Sequence, residues 1–195
     1  MTLALRRPMT LPGFLAWEER QELRFEFDGF QPVAMTGGTM AHEIIGNTLR
    51  GLLRDRLRGT RCRALGPTLK VEVMGRIRYP DAFVTCTAVP PDSTVIREPV
   101  VVFEILSPST SRTDRIEKLR EYQATSSIRY YVILEQDSAA ATLFSRHHGD
   151  REGNWAARAL TGDDVLALPE IGVELPVTDI YADVELPPPT GDAAG

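Results

Sequence analysis

The residues in this chain best suited to chemistry are two acids at the ends of neighbouring apolar segments. Asp81 closes the run Tyr79-Pro80-Asp81, and Glu104 follows the four apolar residues Val100-Val101-Val102-Phe103. Desolvating an unpaired carboxylate is strongly unfavourable, so such acids are normally hydrogen-bonded, paired or metal-bound. If the two segments are adjoining strands, the carboxylates converge. With a nearby lysine, such as Lys118 of Asp114-Arg115-Ile116-Glu117-Lys118, they make up the set that metal-assisted phosphodiester cleavage requires. Asp81 and Glu104 would hold one Mg²⁺ or Mn²⁺, with the carbonyl of Ile105 as a third oxygen. Hard cations take such ligands, and Mg²⁺ keeps waters, one of which becomes the attacking hydroxide. The competing reading is structural: Asp81 caps a turn and Glu104 forms an ion pair, for example with Lys118.

Other polar side chains form looser sets. Asp114, Lys118 and Tyr122 recur every four residues, which lines them up on one helix face beside Ile116 and Leu119. From that stripe Lys118 could reach the strand ends and steady charge on a pentacovalent phosphate or orient water. The plainer reading is an Asp–Lys surface pair worth roughly 0.2–0.5 kcal/mol. His42 lies on the apolar side of a leucine-rich segment, either as a supporting or proton-shuttling group or simply packed and hydrogen-bonded. Arg50, Arg54, Arg56, Arg58, Arg61 and Arg63 form a dense basic run. Such a run complements a helix C-terminus, tracks a DNA backbone or is merely solvated. A helical wheel turns Arg50, Arg54 and Arg58 away from the core, making them remote DNA contacts or solvated charges. His147-His148 lacks further ligands in register. Ser107 and Ser109 lack a Ser-His-Asp partner set, and turn chemistry accounts for them.

At 195 residues, 43% of them hydrophobic, the chain can build one substantial core. A net charge of −5 argues against gripping nucleic acid over a broad basic face, since phosphate neutralisation drives that binding. It leaves room for an acidic metal site, where the ion returns positive charge locally. Cys62 and Cys86 have no CxxC spacing and read as reduced cysteines of a cytosolic protein. No apolar run is long enough to cross a membrane, so a soluble, cytoplasmic protein is expected.

The elements that must position these residues follow from periodicity. Residues 1–11 read as an arm, Pro12 to Glu22 as a short helix, and residues 23–35 as a hairpin turning at Asp28-Gly29. A helix from about Ala41 to Arg58 gathers Ile45, Leu49, Leu52, Leu53 and Leu57 on one face, with His42 on that side. Three strands follow, over Leu65 to Met74, Ile77 to Thr85 and Pro99 to Leu106, the last apolar enough to be covered on both faces. Then come a helix running to about Thr125, which Thr113 with Asp114 can cap, and a strand from Ile128 to Glu135. An antiparallel pair, Ala140 to Arg146 with Trp155 to Leu160, closes the sheet. Residues 1–186 are expected to form a single domain, and 187–195 a disordered Pro/Gly-rich tail.

This order (helix, three strands, helix, strand) within an α+β chain matches the common core of the PD-(D/E)xK nuclease superfamily. An N-terminal helix-hairpin extension and C-terminal antiparallel strands are added to that core. The chain resembles one branch, the Uma2-type endonucleases, through Phe25-Glu26-Phe27-Asp28-Gly29, His42, Pro80-Asp81 and, most specifically, Glu104-Ile105-Leu106-Ser107-Pro108-Ser109 with Asp114, Lys118 and Tyr122. The likeness continues through Ile128-Arg129-Tyr130-Tyr131-Val132 to Leu168-Pro169-Glu170-Ile171-Gly172. It implies a restriction-endonuclease-like fold and a Mg²⁺- or Mn²⁺-dependent endonuclease that hydrolyses DNA with metal-activated water. Asp81 and Glu104 would be its metal ligands. The superfamily's lysine two residues after the second acid is Leu106 here, and the resemblance assigns the ammonium to Lys118 instead. Glu26 and Tyr122 join His42 as secondary candidates. Nucleases of this class often act as homodimers, so a homodimer is expected. The missing lysine and low basic charge leave a second reading open, a non-catalytic binding or interaction module that kept the fold.

Overall fold

Pro80 breaks what the sequence presents as one long strand, and that break organises the molecule. The computed structural model describes residues 8–35, 37–106, 112–146 and 154–186, with the backbone alone for 112–114. The tail after residue 186, the 107–111 turn and His147-His148 lie outside the described residues, as do the first seven residues of the expected arm. In chain order the elements are α1 (Leu11–Glu18), β1 (Phe25–Phe27), β2 (Pro32–Ala34), α2 (Met40–Arg56), β3 (Arg63–Leu65), β4 (Lys70–Val73), β5 (Arg76–Arg78), β6 (Ala82–Thr85), β7 (Val95–Ile96) and β8 (Pro99–Leu106). They continue with α3 (Arg112–Ala124), β9 (Tyr130–Glu135), β10 (Ala140–Arg146), β11 (Trp155–Thr161), β12 (Val165–Leu168), a 3-10 turn at Pro169–Ile171, β13 (Val173–Pro176) and α4 (Val177–Ile180).

These strands form a six-stranded sheet of order β11-β10-β9-β8-β6-β3, a five-stranded sheet of order β2-β1-β5-β4-β7 and the β12-β13 pair. The expected strand 65–74 divides into β3 and β4, and the expected strand 77–85 into β5 and β6, each pair split between the two larger sheets. Proline has no N–H to give a ladder, so pairing stops at Tyr79-Pro80 and the chain crosses from one sheet to the other. Asp81 lies at that crossing, immediately before β6. Pro67 marks the corresponding break between β3 and β4. The β4–β5 hairpin turns on Met74 and Gly75, both at positive φ (50° and 73°), the backbone a two-residue turn of this hand needs.

β8 runs antiparallel to β6 and parallel to β9. Its alternate residues serve two cores. Val101, Phe103 and Ile105 pack with Ile45, Leu49 and Leu53 of α2 and with Leu166, Leu175 and Ile180. Val102 and Leu106 join Phe83, Tyr122, Ile128, Tyr131 and, from the other large sheet, Val71 and Val73. The six-stranded sheet is thus covered by α2 on one face and by α3 with the five-stranded sheet on the other. A third cluster, Phe14, Phe27, Ile77 and Tyr79, seats α1 on that second sheet. There buried Glu18 accepts from Tyr79 Oη (2.7 Å) and pairs with Lys70 Nζ (2.8 Å).

The cysteines correct the expectation of two free thiols: Cys62 and Cys86 form a disulfide. β3 and β6 pair antiparallel with Arg63 opposite Thr85, so one step further sets the two cysteines face to face. A cross-strand position of this kind has no CxxC signature. The pairing withdraws the support that reduced thiols lent to a cytosolic location.

Candidate active site

Register brings the two acids together. Ala82 pairs with Phe103 and Phe83 with Val102, so the next antiparallel step places Asp81 opposite Glu104. The charge of Asp81 is close enough to help raise the pKa of Glu104. Asp81 Oδ2 accepts from the Ile105 N–H at 2.7 Å, and its Oδ1 lies 3.2 Å from His42 Nε2. The N–H and C=O of one strand residue point to the same side, so the Ile105 carbonyl also faces the β6 side. His42 stands in the first turn of α2, where Thr39 caps the helix by accepting from the His42 N–H at 3.2 Å. The hydrogen bond to Asp81 raises the His42 pKa above its usual 6.5. Burial opposes this, and the charges of Asp81, Glu104 and Glu43 add to it.

Glu104 is buried, and α3 meets its Oε1 with two side chains: Tyr122 Oη donates at 2.7 Å and Lys118 Nζ lies at 3.4 Å. Burial pushes its pKa up from 4.5 to about 7, against the pull of Lys118; Asp81 and Glu26 push the same way, and the Tyr122 hydrogen bond opposes them. Burial likewise holds the Tyr122 hydroxyl well above its ordinary pKa, so it stays a donor. Lys118 Nζ also lies 3.7 Å from Glu26 Oε1, which places the ammonium between two carboxylates. Glu26 in turn accepts from the Tyr79 N–H at 3.3 Å and from Arg78 Nη1 at 2.9 Å.

Arg78 holds this side of the site, and sequence reasoning missed it. It is buried, and its Nε and Nη2 grip the two oxygens of Glu121 at 2.7 and 2.6 Å, with Arg76 as a further partner of Glu121. Burial alone would lower the pKa of Arg78, but Glu121 and Glu26 raise it overall. The available signal was the pattern Arg76-Ile77-Arg78, two arginines on one face of a strand directly before Tyr-Pro-Asp.

The basic run divides. Arg50 had been placed among remote or solvated charges, and the structure corrects this. Its Nη1 donates to the Asp81 carbonyl at 2.9 Å and its Nη2 to Asn47 at 2.6 Å, in a notch left by Gly46 and Gly66. Only glycine at those two positions lets the arginine lie against the helix and reach across, because a Cβ at either would stand 2.9 Å from it. Arg54 and Arg58 stay outward, both beside Asp55, and line a groove with Thr60, Cys62 and Arg63. Arg58 is roughly 24 Å along the helix axis from His42, at about 1.5 Å per residue.

Among the described residues no three His, Cys, Asp or Glu side chains converge as a metal cage. The donor set is therefore two carboxylates and a main-chain oxygen. Mg²⁺ is commonly held in this way, through one or two carboxylates with several waters kept. Negative charge crowded on buried Glu104 by Asp81 and Glu26 is what a divalent ion would relieve. The set fits Mg²⁺ or Mn²⁺ better than a closed Zn²⁺ site.

The fold and sequence have relatives. In a crystal structure, a protein of Anabaena variabilis described as a putative nuclease belonging to DUF820 matches with a TM-score of 0.74, covering 90% of this chain and 98% of that one. At 16% identity that likeness speaks for the fold alone. An uncharacterized protein of Synechocystis sp. is 33% identical over 171 residues, 86% of this chain and 88% of its own length. The family model described as "putative restriction endonuclease" matches residues 11–178. With the α+β nuclease fold in place and nearly the whole chain matched, the protein belongs to the Uma2 family.

Proposed function

We propose that the protein is a Mg²⁺- or Mn²⁺-dependent endonuclease that hydrolyses DNA phosphodiester bonds. The observation that carries this reading is the closeness of Asp81 to Glu104: Asp81 Oδ2 accepts from the Ile105 N–H at 2.7 Å, and its charge helps raise the Glu104 pKa. Asp81, Glu104 and the carbonyl of Ile105 hold the ion. When bound, it supplies a water of lowered pKa and takes up charge on the phosphoryl oxygens. The remaining work falls to the chain itself. Lys118 faces the phosphate from α3 and offsets the negative charge that grows as the nucleophile adds. Glu26 and Tyr122 fix Lys118 and Glu104 respectively. His42 holds Asp81 through Nε2 and is placed to carry a proton there. Arg50 fixes the Asp81 main chain, while Arg54 and Arg58 meet the DNA backbone at a distance. A homodimer with one site per strand suits double-strand cleavage.

The test is plasmid nicking with Mg²⁺ or Mn²⁺. Wild type should nick only with the ion present, and Asp81→Ala and Glu104→Ala should lose nicking while circular dichroism stays native. Equal nicking by all three proteins ends the reading. One observation favours the rival binding module: both oxygens of Asp81 already have protein partners. Titration calorimetry separates the two, since the module takes up neither Mg²⁺ nor Mn²⁺.

A further inference from the structure

A second cation stands one turn outward from Lys118 on the same helix face. α3 follows β8 and leads into β9, and these two strands are parallel, so the first turns of α3 lie over the carboxyl edge of both. Lys118 marks the level of Glu104 there. Arg115 is three residues earlier, and its Nη2 lies 3.7 Å from Glu135 Oε2. Glu135 pairs in register with Leu106, two residues beyond Glu104 on the same side of the sheet. Arg115 thus sits at the rim of the sheet's carboxyl edge, beyond Glu104 and Lys118.

Its present contacts do not satisfy it. The distance to Glu135 is long for a charge-assisted hydrogen bond, which runs about 2.7–2.9 Å. Among the described residues, Arg115 Nε is buried and has no hydrogen-bond partner, and the same is true of Oε1 of the adjacent Gln136. A buried donor left unpaired is costly, and a guanidinium presents a planar fork that matches two phosphate oxygens. The side chain is 41% exposed, so the fork can be reached from outside.

We infer that Arg115 is a substrate contact: it binds a nucleic-acid backbone phosphate at the rim, beside the phosphate that Lys118 faces, and Glu135 holds the guanidinium in place until that phosphate arrives. The inference rests on the nuclease reading and extends it to a residue outside the metal and lysine set. Glu135 has the same sign as the incoming phosphate, so the two compete for one cation. A purely structural ion pair would lack that competition, and this distinguishes the two roles.

The experiment is fluorescence anisotropy of a labelled DNA duplex across a salt series, with Ca²⁺ replacing Mg²⁺ to hold turnover off, and plasmid nicking run in parallel. Arg115→Ala should weaken binding about tenfold and reduce the slope of log K against log salt by about 0.9, the share of one phosphate. Arg115→Lys should keep the slope and bind with intermediate strength. Glu135→Gln, which frees the guanidinium, should tighten binding. Unchanged affinity and slope in Arg115→Ala overturn the inference while wild-type nicking leaves the nuclease reading standing. Weaker binding in Glu135→Gln, matching Arg115→Ala, overturns it too. A wild type that neither binds nor nicks removes the nuclease reading itself, and this inference with it.

Discussion

On Glu104 charge and burial conflict. Its pKa rises from 4.5 to about 7 on folding, chiefly through desolvation. A folded-state value above the unfolded one means that the native chain keeps its proton longer. The resulting stabilisation is complete below about pH 4.5 and is lost as pH rises through about 7. His42, also raised, contributes in the same sense from about its ordinary 6.5 upward. Thermal unfolding without divalent ions should therefore show stability falling between pH 4.5 and 7, and Glu104→Gln should flatten that fall. An equally steep fall in the glutamine variant would assign it to other groups. At this scale the acids were legible, because Pro-Asp and an apolar run ending in Glu leave few bland uses for a carboxylate. Arg78 and Glu121 were not, because arginines alternating with isoleucine read as a solvated strand face until a helix is known to cover them.

Strands and helices meet through that hidden pair. Arg78 joins β5 to β1 through Glu26 and to α3 through Glu121. Removing one member of a buried ion set leaves its partners charged and unpaired, so Arg78→Ala should cost about 3–5 kcal/mol in urea unfolding. Adding Glu121→Ala should restore part of the loss, since the two changes share one interaction. No recovery would mean that the arginine acts through packing alone. β8, α3 and β10 were legible nearly to the residue, since continuous apolar runs and four-residue stripes are strong local signals. The division of residues 65–85 between two sheets was not. Local pattern shows that Pro80 interrupts a strand, but only long-range pairing shows that the chain changes sheets there.

For the molecule as a whole, the two large sheets are joined at the corner that carries Asp81, while the disulfide ties β3 to β6 at the opposite end of β6. The bond spans a separation of 24 residues, and closing such a loop is worth about 3 kcal/mol through the unfolded chain. Reduction should lower stability by that order and leave Mn²⁺ affinity unchanged, as calorimetry on oxidised and reduced protein can show. A loss of ion affinity on reduction would mean that strain travels the length of β6. Composition had bounded only the class of molecule. Net charge of −5 revealed nothing of how cations are gathered around buried acids, because that gathering is three-dimensional.

The N-terminal hairpin, from sequence an appendage to a nuclease core, supplies Glu26 to the centre of that gathering. A chain shortened to begin at α2 would lose the counter-ion shared by Lys118 and Arg78, leaving two cations facing each other across the vacated space. A segment that reads as an added extension is thus part of the keystone, and trimming to a minimal core would remove the support the remaining site leans on.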